Sequence, residues 1–341
     1  MLRLPPFHLH QPVSLDEALG LIASEGPSVR LVAGGTDLWP NMKRRHQQAA
    51  SLVSLMRIDE LRGIVDGNGG SVSIGATTLL DDVVRSPEIA RRYPALARAT
   101  GSISSPPLRN MATLGGNLCL DTRCTYYNQT EEWRRSIDYC LKEEGTVCWV
   151  APGSPTCWAH SASDTAPMLA ALEATVVLRT SGGEREIPVA GLFSNDGIRY
   201  LTLRPGEILT RVSLPASSSS QACRSAFWKL RRRGSIDFAV LSVAAALWLD
   251  GSGKIENVNL FLGSVASQPV EVVAAGELLI GAKPDPEAIR KVARAARRVA
   301  TPMDNTDFKT QWRGLMVERY AEAALSEAAL LPHCLPAPAH V

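Results

Sequence analysis

Four cysteines in the middle of the chain have the residue type and spacing to ligate an inorganic cofactor. They are Cys124, Cys140, Cys148 and Cys157, separated by 15, 7 and 8 intervening residues. Four thiolates can bind a tetrahedral zinc ion or an iron–sulfur cluster. Structural zinc sites usually contain two cysteines about two to four residues apart, and these four include no such pair. The spacing therefore favours a cubane cluster, reached from four separate turns, and leaves a zinc-stabilised binding module as the alternative.

Two glycine pairs are placed where a backbone could approach an anion. In residues 31–38, LVAGGTDL, two glycines come directly after an apolar strand, and residues 113–117, TLGGN, repeat the pattern about eighty residues later. Glycine allows positive φ and lets backbone N–H groups come close to a pyrophosphate. Neither pair is a Rossmann or Walker motif, so each alone also fits an ordinary tight turn. Asp164 adds an acceptor further along, and Cys119, next to the second pair, is interpreted as a buried thiol outside the four-cysteine set.

Taken together and in order, these segments resemble the FAD-binding subunits and domains of the xanthine dehydrogenase and carbon monoxide dehydrogenase family. That family has an AGGTDL-like loop, a T-x-GGN loop and an aspartate before an apolar helix. It also has a GEIL strand, here residues 206–209, and a K-x-x-x-R segment, here Lys229 and Arg233. The resemblance covers nearly the whole chain and implies that it binds FAD.

The resemblance also implies which residues form the flavin site. The first loop would hold the pyrophosphate and ribityl region of FAD, the second would form another phosphate loop, and four further residues would line the rest. Lys229 would sit near the isoalloxazine ring, where a cation stabilises the reduced anion; a solvated strand lysine is the alternative. The implied residues are Leu31, Val32, Ala33, Gly34, Gly35, Thr36, Asp37, Leu38, Ile103, Thr113, Leu114, Gly115, Gly116, Asn117, Asp164, Leu209 and Lys229.

The cysteine-rich insertion, residues 119–160, narrows the resemblance. Most of the family lacks it, and its four cysteines are similar to the cluster-binding loop of one branch, the 4-hydroxybenzoyl-CoA reductases. This implies a 4Fe-4S cluster on the four cysteines. Electrons would pass from a reduced ferredoxin to the cluster and to FAD, then through 2Fe-2S clusters of a small subunit to a molybdopterin centre on a large subunit. The chain would hold no catalytic residue and would belong to a heterotrimer that dimerises.

Two other redox interpretations stay open at this point. In a hydroxylating molybdenum dehydrogenase, the FAD subunit would pass electrons outward from molybdenum, with the cluster as an exit. In a stand-alone FAD oxidase, the chain would turn over without partner subunits. The sequence does not set the direction of electron flow.

Apolar periodicity and punctuation predict an α+β protein with two domains. Residues 1–217 are expected to form a FAD-binding α/β domain of the PCMH type, with subdomains at about 1–55 and 56–217, the second of which contains the insertion. A serine-rich run at residues 216–221 is the predicted linker. Residues 218–330 are expected to form an α+β domain, similar to the carboxy-terminal domain of CO dehydrogenase flavoproteins, with a three-stranded antiparallel sheet and helices. Residues 331–341 are a predicted tail.

Composition excludes several classes of protein. The 341 residues carry a formal net charge of +2. This charge is too small to create an overall positive field that would attract nucleic acid or an anionic membrane. The amino terminus lacks the apolar run of a signal peptide, and no window reaches the ~20 apolar residues of a membrane span. A cytoplasmic protein is expected. That reducing compartment disfavours structural disulfides, which leaves metal binding, catalysis or simple burial as the roles of the seven cysteines.

Overall fold

The computed structural model describes residues 3–216, 223–333 and 335–336. The predicted linker lies outside these residues from position 217 onward, as does the predicted boundary between residues 217 and 218. Residues 334 and 337–341 of the predicted tail also lie outside them. Within the described ranges, no helix combines the length and the apolar character needed to span a bilayer.

The amino-terminal part is a small parallel sheet with two helices. Its strands, in the order β1-β3-β2, are β1 (His8–His10), β2 (Val29–Val32) and β3 (Ser51–Ser54). Helix α1 (Leu15–Glu25) begins at Ser14, whose hydroxyl accepts a hydrogen bond from the Glu17 N–H, as an N-cap does. Helix α2 (Leu38–Lys43) follows β2 after a five-residue loop. Since ligands bind beyond the carboxyl ends of parallel strands, this loop lies where a ligand site is expected.

The second part contains a five-stranded antiparallel sheet in the order β4-β5-β8-β6-β7. The strands are β4 (Ile64–Asp66), β5 (Val72–Gly75), β6 (Thr175–Thr180), β7 (Gly183–Pro188) and β8 (Ile208–Leu214). The helices are α3 (Leu80–Arg85), α4 (Pro87–Arg92), α5 (Pro94–Gly101), α6 (Pro106–Arg109), α7 (Leu114–Leu118), α8 (Glu131–Ser136) and α9 (Thr165–Ala171). Short 3-10 helices lie at Gly26–Ser28, Asp59–Leu61, Asn68–Gly70 and Val189–Leu192.

The carboxy-terminal part is an antiparallel sheet covered by helices. Its strands are β9 (Cys223–Leu230), β10 (Leu241–Leu249), β11 (Ile255–Gly263) and β12 (Val270–Glu271), in the order β12-β11-β10-β9. The helices are α10 (Ala274–Leu279), α11 (Pro286–Val299) and α12 (Thr310–Ala328). The predicted three strands were one too few: β12 pairs with β11, and its two residues are too short to produce a periodic pattern.

Strand β10 shows how the parts are joined. Its residues alternate between the two faces of the sheet, as pleated strands require. Ala244 and Ala246 belong to the core that also contains Leu169 of α9 and the five-stranded sheet. Val243 and Leu247 belong to a second core, formed with α11 and α12. Burial on both faces explains why this strand is almost continuously apolar. The α+β fold class predicted from the sequence is confirmed.

Candidate functional site

A cavity of about 750 Å³ lies between the three parts of the chain. This volume falls within the usual range of small-molecule and cofactor sites. All the predicted flavin-site residues line it except Leu114 and Lys229. The side chain of Leu114 is fully buried in the apolar core. Lys229 does not line the cavity itself, but its ammonium group donates to Asp164, which does. We refer to this space as the large cavity.

The first glycine loop is shaped to bind an anion at the edge of the large cavity. Gly35 has φ +70°, a left-handed conformation that favours glycine. A Cβ atom at Gly34 would overlap the carbonyl oxygen of Met111, so only glycine lets this loop touch the chain just before Thr113. Among the described residues, the N–H groups of Gly34, Gly35 and Thr36 have no hydrogen-bond acceptor. Unpaired N–H groups at a cavity edge fit the oxygens of a pyrophosphate.

The second glycine loop also lines the large cavity, but the N–H groups of its two glycines are used within the protein. Gly115 N–H donates to Ala76 O at 2.9 Å, and Gly116 N–H donates to Thr113 Oγ1 at 3.2 Å. A Cβ atom at Gly115 would lie 2.8 Å from Ala76 Cβ, so this glycine allows close packing against the neighbouring strand end. Of the two loops, the first therefore supplies the unpaired backbone donors.

A buried ion pair forms another part of the wall. Lys229 Nζ lies 2.6 Å from Asp164 Oδ2, and both side chains are 4% exposed. The alternative of a solvated strand lysine is therefore wrong. Burial raises the pKa of Asp164, and the charge of Lys229 opposes this effect. The second oxygen, Asp164 Oδ1, is buried without a hydrogen-bond partner among the described residues. A buried acceptor without a donor fits a hydroxyl or N–H group of a bound cofactor.

The four cysteines of the insertion surround one smaller cavity, which we call the thiol cavity. The insertion is irregular apart from α8, and an isolated bridge between Arg123 and His160 closes its base. All four cysteines are buried and unpaired by disulfides. The lining residues are Cys124, Tyr126, Tyr127, Cys140, Leu141, Lys142, Cys148, Trp149, Val150 and Cys157.

One of these sulfurs accepts a hydrogen bond from a backbone N–H group. Cys157 Sγ accepts from Ala159 N–H at 3.4 Å, and nearby backbone N–H groups act to lower the pKa of Cys124 and of Cys140. Such donors stabilise sulfur that carries negative charge, as in iron–sulfur proteins. Burial nevertheless raises the pKa of Cys124 to about 11 and that of Cys157 to about 12. A bound metal centre would be needed to hold these sulfurs as thiolates, so the donor set fits a cluster.

The geometry of the thiol cavity bears on the choice between zinc and a cluster. In the part of the chain that the structure describes, no three His, Cys, Asp or Glu side chains are arranged to hold a single metal ion. The four sulfurs nevertheless share one cavity. A cubane spreads its ligands over four corners, whereas zinc needs all of them within about 2.3 Å of one point.

The layer between the two cavities contains residues that the sequence analysis did not single out. Arg123 and Asp121 line the large cavity. The Arg123 guanidinium pairs with Asp37 of the first loop and lies 4.6 Å from the ring centre of Phe238. The only feature of the sequence that could have marked Arg123 as a site residue is its position next to Cys124. Tyr200 and Phe238 also line the large cavity, and no local motif marks them.

Two family models match the chain. The FAD binding domain in molybdopterin dehydrogenase matches residues 5–217, and the CO dehydrogenase flavoprotein C-terminal domain matches residues 225–328. The carbon monoxide dehydrogenase medium chain of Hydrogenophaga pseudoflava is 30% identical over 330 residues, 95% of this chain and 99% of that protein. The aldehyde oxidoreductase FAD-binding subunit of Escherichia coli K12 is 32% identical over 275 residues, 78% of this chain and 84% of that protein.

A solved structure is also similar over almost the whole chain. It is a carbon monoxide dehydrogenase from Hydrogenophaga pseudoflava that lacks the Mo-pyranopterin moiety of the molybdenum cofactor. The two chains superpose with a TM-score of 0.78 at 28% sequence identity, covering 96% of this chain and 98% of that one. Sequence and structure therefore point to the same relatives over nearly the whole chain.

Proposed function

This chain belongs to the family defined by the FAD-binding domain of molybdopterin dehydrogenases, and we propose that it is the electron-transferring subunit that holds FAD and a 4Fe-4S cluster. It is an oxidoreductase subunit of the molybdenum hydroxylase family. The observation that carries the cluster assignment is the meeting of four buried thiols around one cavity, beside the cavity assigned to FAD. When bound, the two groups would supply carriers for single electrons and electron pairs.

Some residues of the chain would bind these two groups, and others would shield them from water. The N–H groups of the first glycine loop would hold the FAD pyrophosphate, and Asp164 Oδ1 would accept a hydrogen bond from the cofactor. The cysteines would ligate the cluster, while Tyr127 and Trp149 would keep water from it. In this proposal the chain binds no substrate.

We further propose that the complex is a 4-hydroxybenzoyl-CoA reductase, which removes a phenolic hydroxyl with electrons from a reduced ferredoxin. The support is the spacing of Cys124, Cys140, Cys148 and Cys157, which is similar to the cluster-binding loop of that branch. The partners in this proposal are a molybdopterin-containing large subunit and a 2Fe-2S small subunit, in a heterotrimer that dimerises. The name "medium chain" of the carbon monoxide dehydrogenase relative fits such an assembly.

The second candidate is a hydroxylating molybdenum dehydrogenase, in which electrons leave through this chain. The relatives named as carbon monoxide dehydrogenase and aldehyde oxidoreductase favour it. The two candidates differ in the order of midpoint potentials. A cluster potential well above that of the flavin would contradict ferredoxin-driven reduction. Assaying the purified complex with reduced ferredoxin and 4-hydroxybenzoyl-CoA tests the substrate directly, and a lack of turnover would leave the second candidate.

A visible spectrum of anaerobically purified protein tests the two cofactors together. Flavin bands and broad iron–sulfur absorption are expected, with about four irons per chain. The Cys140→Ser variant should lose the broad absorption and the iron but keep the flavin. The matched control is Cys223→Ser, because Cys223 lies in β9, away from the thiol cavity. A colourless, zinc-containing protein, or a Cys140→Ser variant with full iron content, would contradict the assignment.

A further inference from the structure

Lys142 lies in the layer that separates the thiol cavity from the large cavity. It follows Cys140 by two residues, and its side chain lines the thiol cavity. Its partner, Asp121, lines the large cavity on the other side. The two side chains are 6% and 7% exposed, and Nζ lies 2.8 Å from Asp121 Oδ1. A single ion pair therefore spans the layer.

The surroundings hold the ammonium group of Lys142 in one place. It donates to Asp121 Oδ1 and Thr122 Oγ1, each at 2.8 Å, and to Gly197 O at 2.6 Å. These three acceptors match the three N–H donors of an ammonium group. The ring centres of Tyr127 and Tyr200 lie 5.1 Å and 5.4 Å from Nζ, within the range of a cation–π contact. Tyr127 lines the thiol cavity and Tyr200 lines the large cavity, so the charge contacts both sides.

The ion pair forms an electric dipole that points from Asp121 toward the thiol cavity. The positive end borders the thiol cavity, whereas the carboxylate of Asp121 is held on the other side, where Gln47 Nε2 also donates to it at 2.9 Å. A fixed dipole in a buried, water-poor layer acts more strongly on a nearby charge than the same pair in solvent. The thiol cavity therefore experiences the positive end of this dipole.

We propose that the buried ammonium group of Lys142 raises the reduction potential of the cluster held by the four cysteines. This inference rests on the proposed function, because it needs a cluster in the thiol cavity. Reduction adds one negative charge to a cluster, so a fixed positive charge at the cavity wall favours the reduced form. Asp121 partly cancels this effect from the far side of the layer, and it keeps the ammonium oriented.

The test is an EPR-monitored redox titration of the cluster in the intact complex, carried out on variants of both partners. Lys142→Gln removes the positive charge and should lower the midpoint potential. Asp121→Asn removes the opposing negative charge and should raise it. Lys142→Arg keeps the charge and should return the potential toward that of the wild type. A residue that only braces the insertion would change stability without these opposite shifts.

The matched control is Arg135→Gln, because Arg135 lies in the same insertion with a side chain that is 70% exposed. Its charge is screened by water, so the cluster potential should stay at the wild-type value. No shift in Lys142→Gln, or shifts of the same sign in Lys142→Gln and Asp121→Asn, would overturn the inference. If Lys142→Gln fails to retain a cluster, Asp121→Asn decides alone. A wild-type protein without iron would instead refute the proposed function, and iron analysis distinguishes the two failures.

Discussion

At the scale of single residues, the shape of the large cavity depends on Gly34, where the backbone of another segment excludes a side chain. Gly34 lies where the first loop touches the backbone at Met111, just before the second loop. A methyl group there would push the two loops apart and move the unpaired N–H groups of Gly35 and Thr36. The contact therefore couples the shape of the loop to the shape of the anion site.

Gly34→Ala should lose most of the bound FAD and lower the free energy of unfolding by about 1–3 kcal/mol, the usual cost of overpacking. The measurements are the FAD released per chain on denaturation and the thermal midpoint. Gly20→Ala is the control, because Gly20 is exposed within α1 with no atom within 4 Å of an added Cβ. That change should raise stability by about 0.5–1 kcal/mol. A Gly34→Ala protein with full FAD content would show that the loop contact is dispensable.

At the scale of elements, the insertion is fastened at its base to the carboxy-terminal part. Arg123 and His160 exchange backbone hydrogen bonds, each 2.8 Å long. Thr125 N–H donates to Asn305 O, and Asn305 Nδ2 donates to Trp158 O at 2.5 Å. His160 is fully enclosed at this junction, and burial lowers its pKa to about 4 from the ordinary 6.5.

The depressed pKa of His160 predicts a loss of stability in mild acid. Between pH 6.5 and about 4, the unfolded chain binds a proton at this residue that the folded protein does not. The stability that depends on the neutral imidazole of His160 is therefore fully present above pH 6.5 and is lost as the pH decreases toward 4. From about pH 7.5 to about pH 5 the loss is about 2 kcal/mol, using ~1.4 kcal/mol per pKa unit.

Urea unfolding at the two pH values measures this loss. His160→Asn should show a smaller difference between the two pH values than the wild type, whatever its stability at neutral pH. His8→Asn is the control, because His8 lies exposed at the start of the chain. An unchanged pH dependence in His160→Asn would place the acid sensitivity in other residues.

At the scale of the whole molecule, the family's two domains share a core. Phe227 and Phe261, from the carboxy-terminal sheet, pack in the same apolar cluster as Met168 and Leu169. Arg98 of α5 pairs with Glu327 of α12 at 2.7 Å, and Trp228 Nε1 donates to the same carboxylate at 2.7 Å. Each domain therefore buries part of its apolar surface against the other.

The protein without cofactors should therefore unfold in a single calorimetric transition. Phe261→Ala should cost about 3–5 kcal/mol and lower the midpoint of that transition without splitting it. Phe308→Ala is the control, because Phe308 is 43% exposed, and its effect should be much smaller. Two resolved transitions in the wild type would contradict a shared core.

Much of this architecture could be predicted from local patterns, and the exceptions have one cause. Glycine pairs after strands, cysteine spacing and apolar periodicity depend on neighbours in the chain, so they indicated loops, a ligand set and most strands. Strand β12 could not be predicted, because two residues are too few to show an alternation of apolar and polar side chains. The burial of Lys229 could not be predicted, because its partner Asp164 is 65 residues away.

By itself, the sequence determined the kinds of chemistry available: soft thiolate ligands in one insertion and glycine loops suited to an anion. Only the tertiary structure decided how these are arranged. It placed four cysteines around one cavity, paired Arg123 with Asp37 across 86 positions, and set Lys142 against Asp121 between two cavities. The physical reason is that burial and the resulting charge pairs arise from contacts between distant segments, which depend on how the whole chain packs.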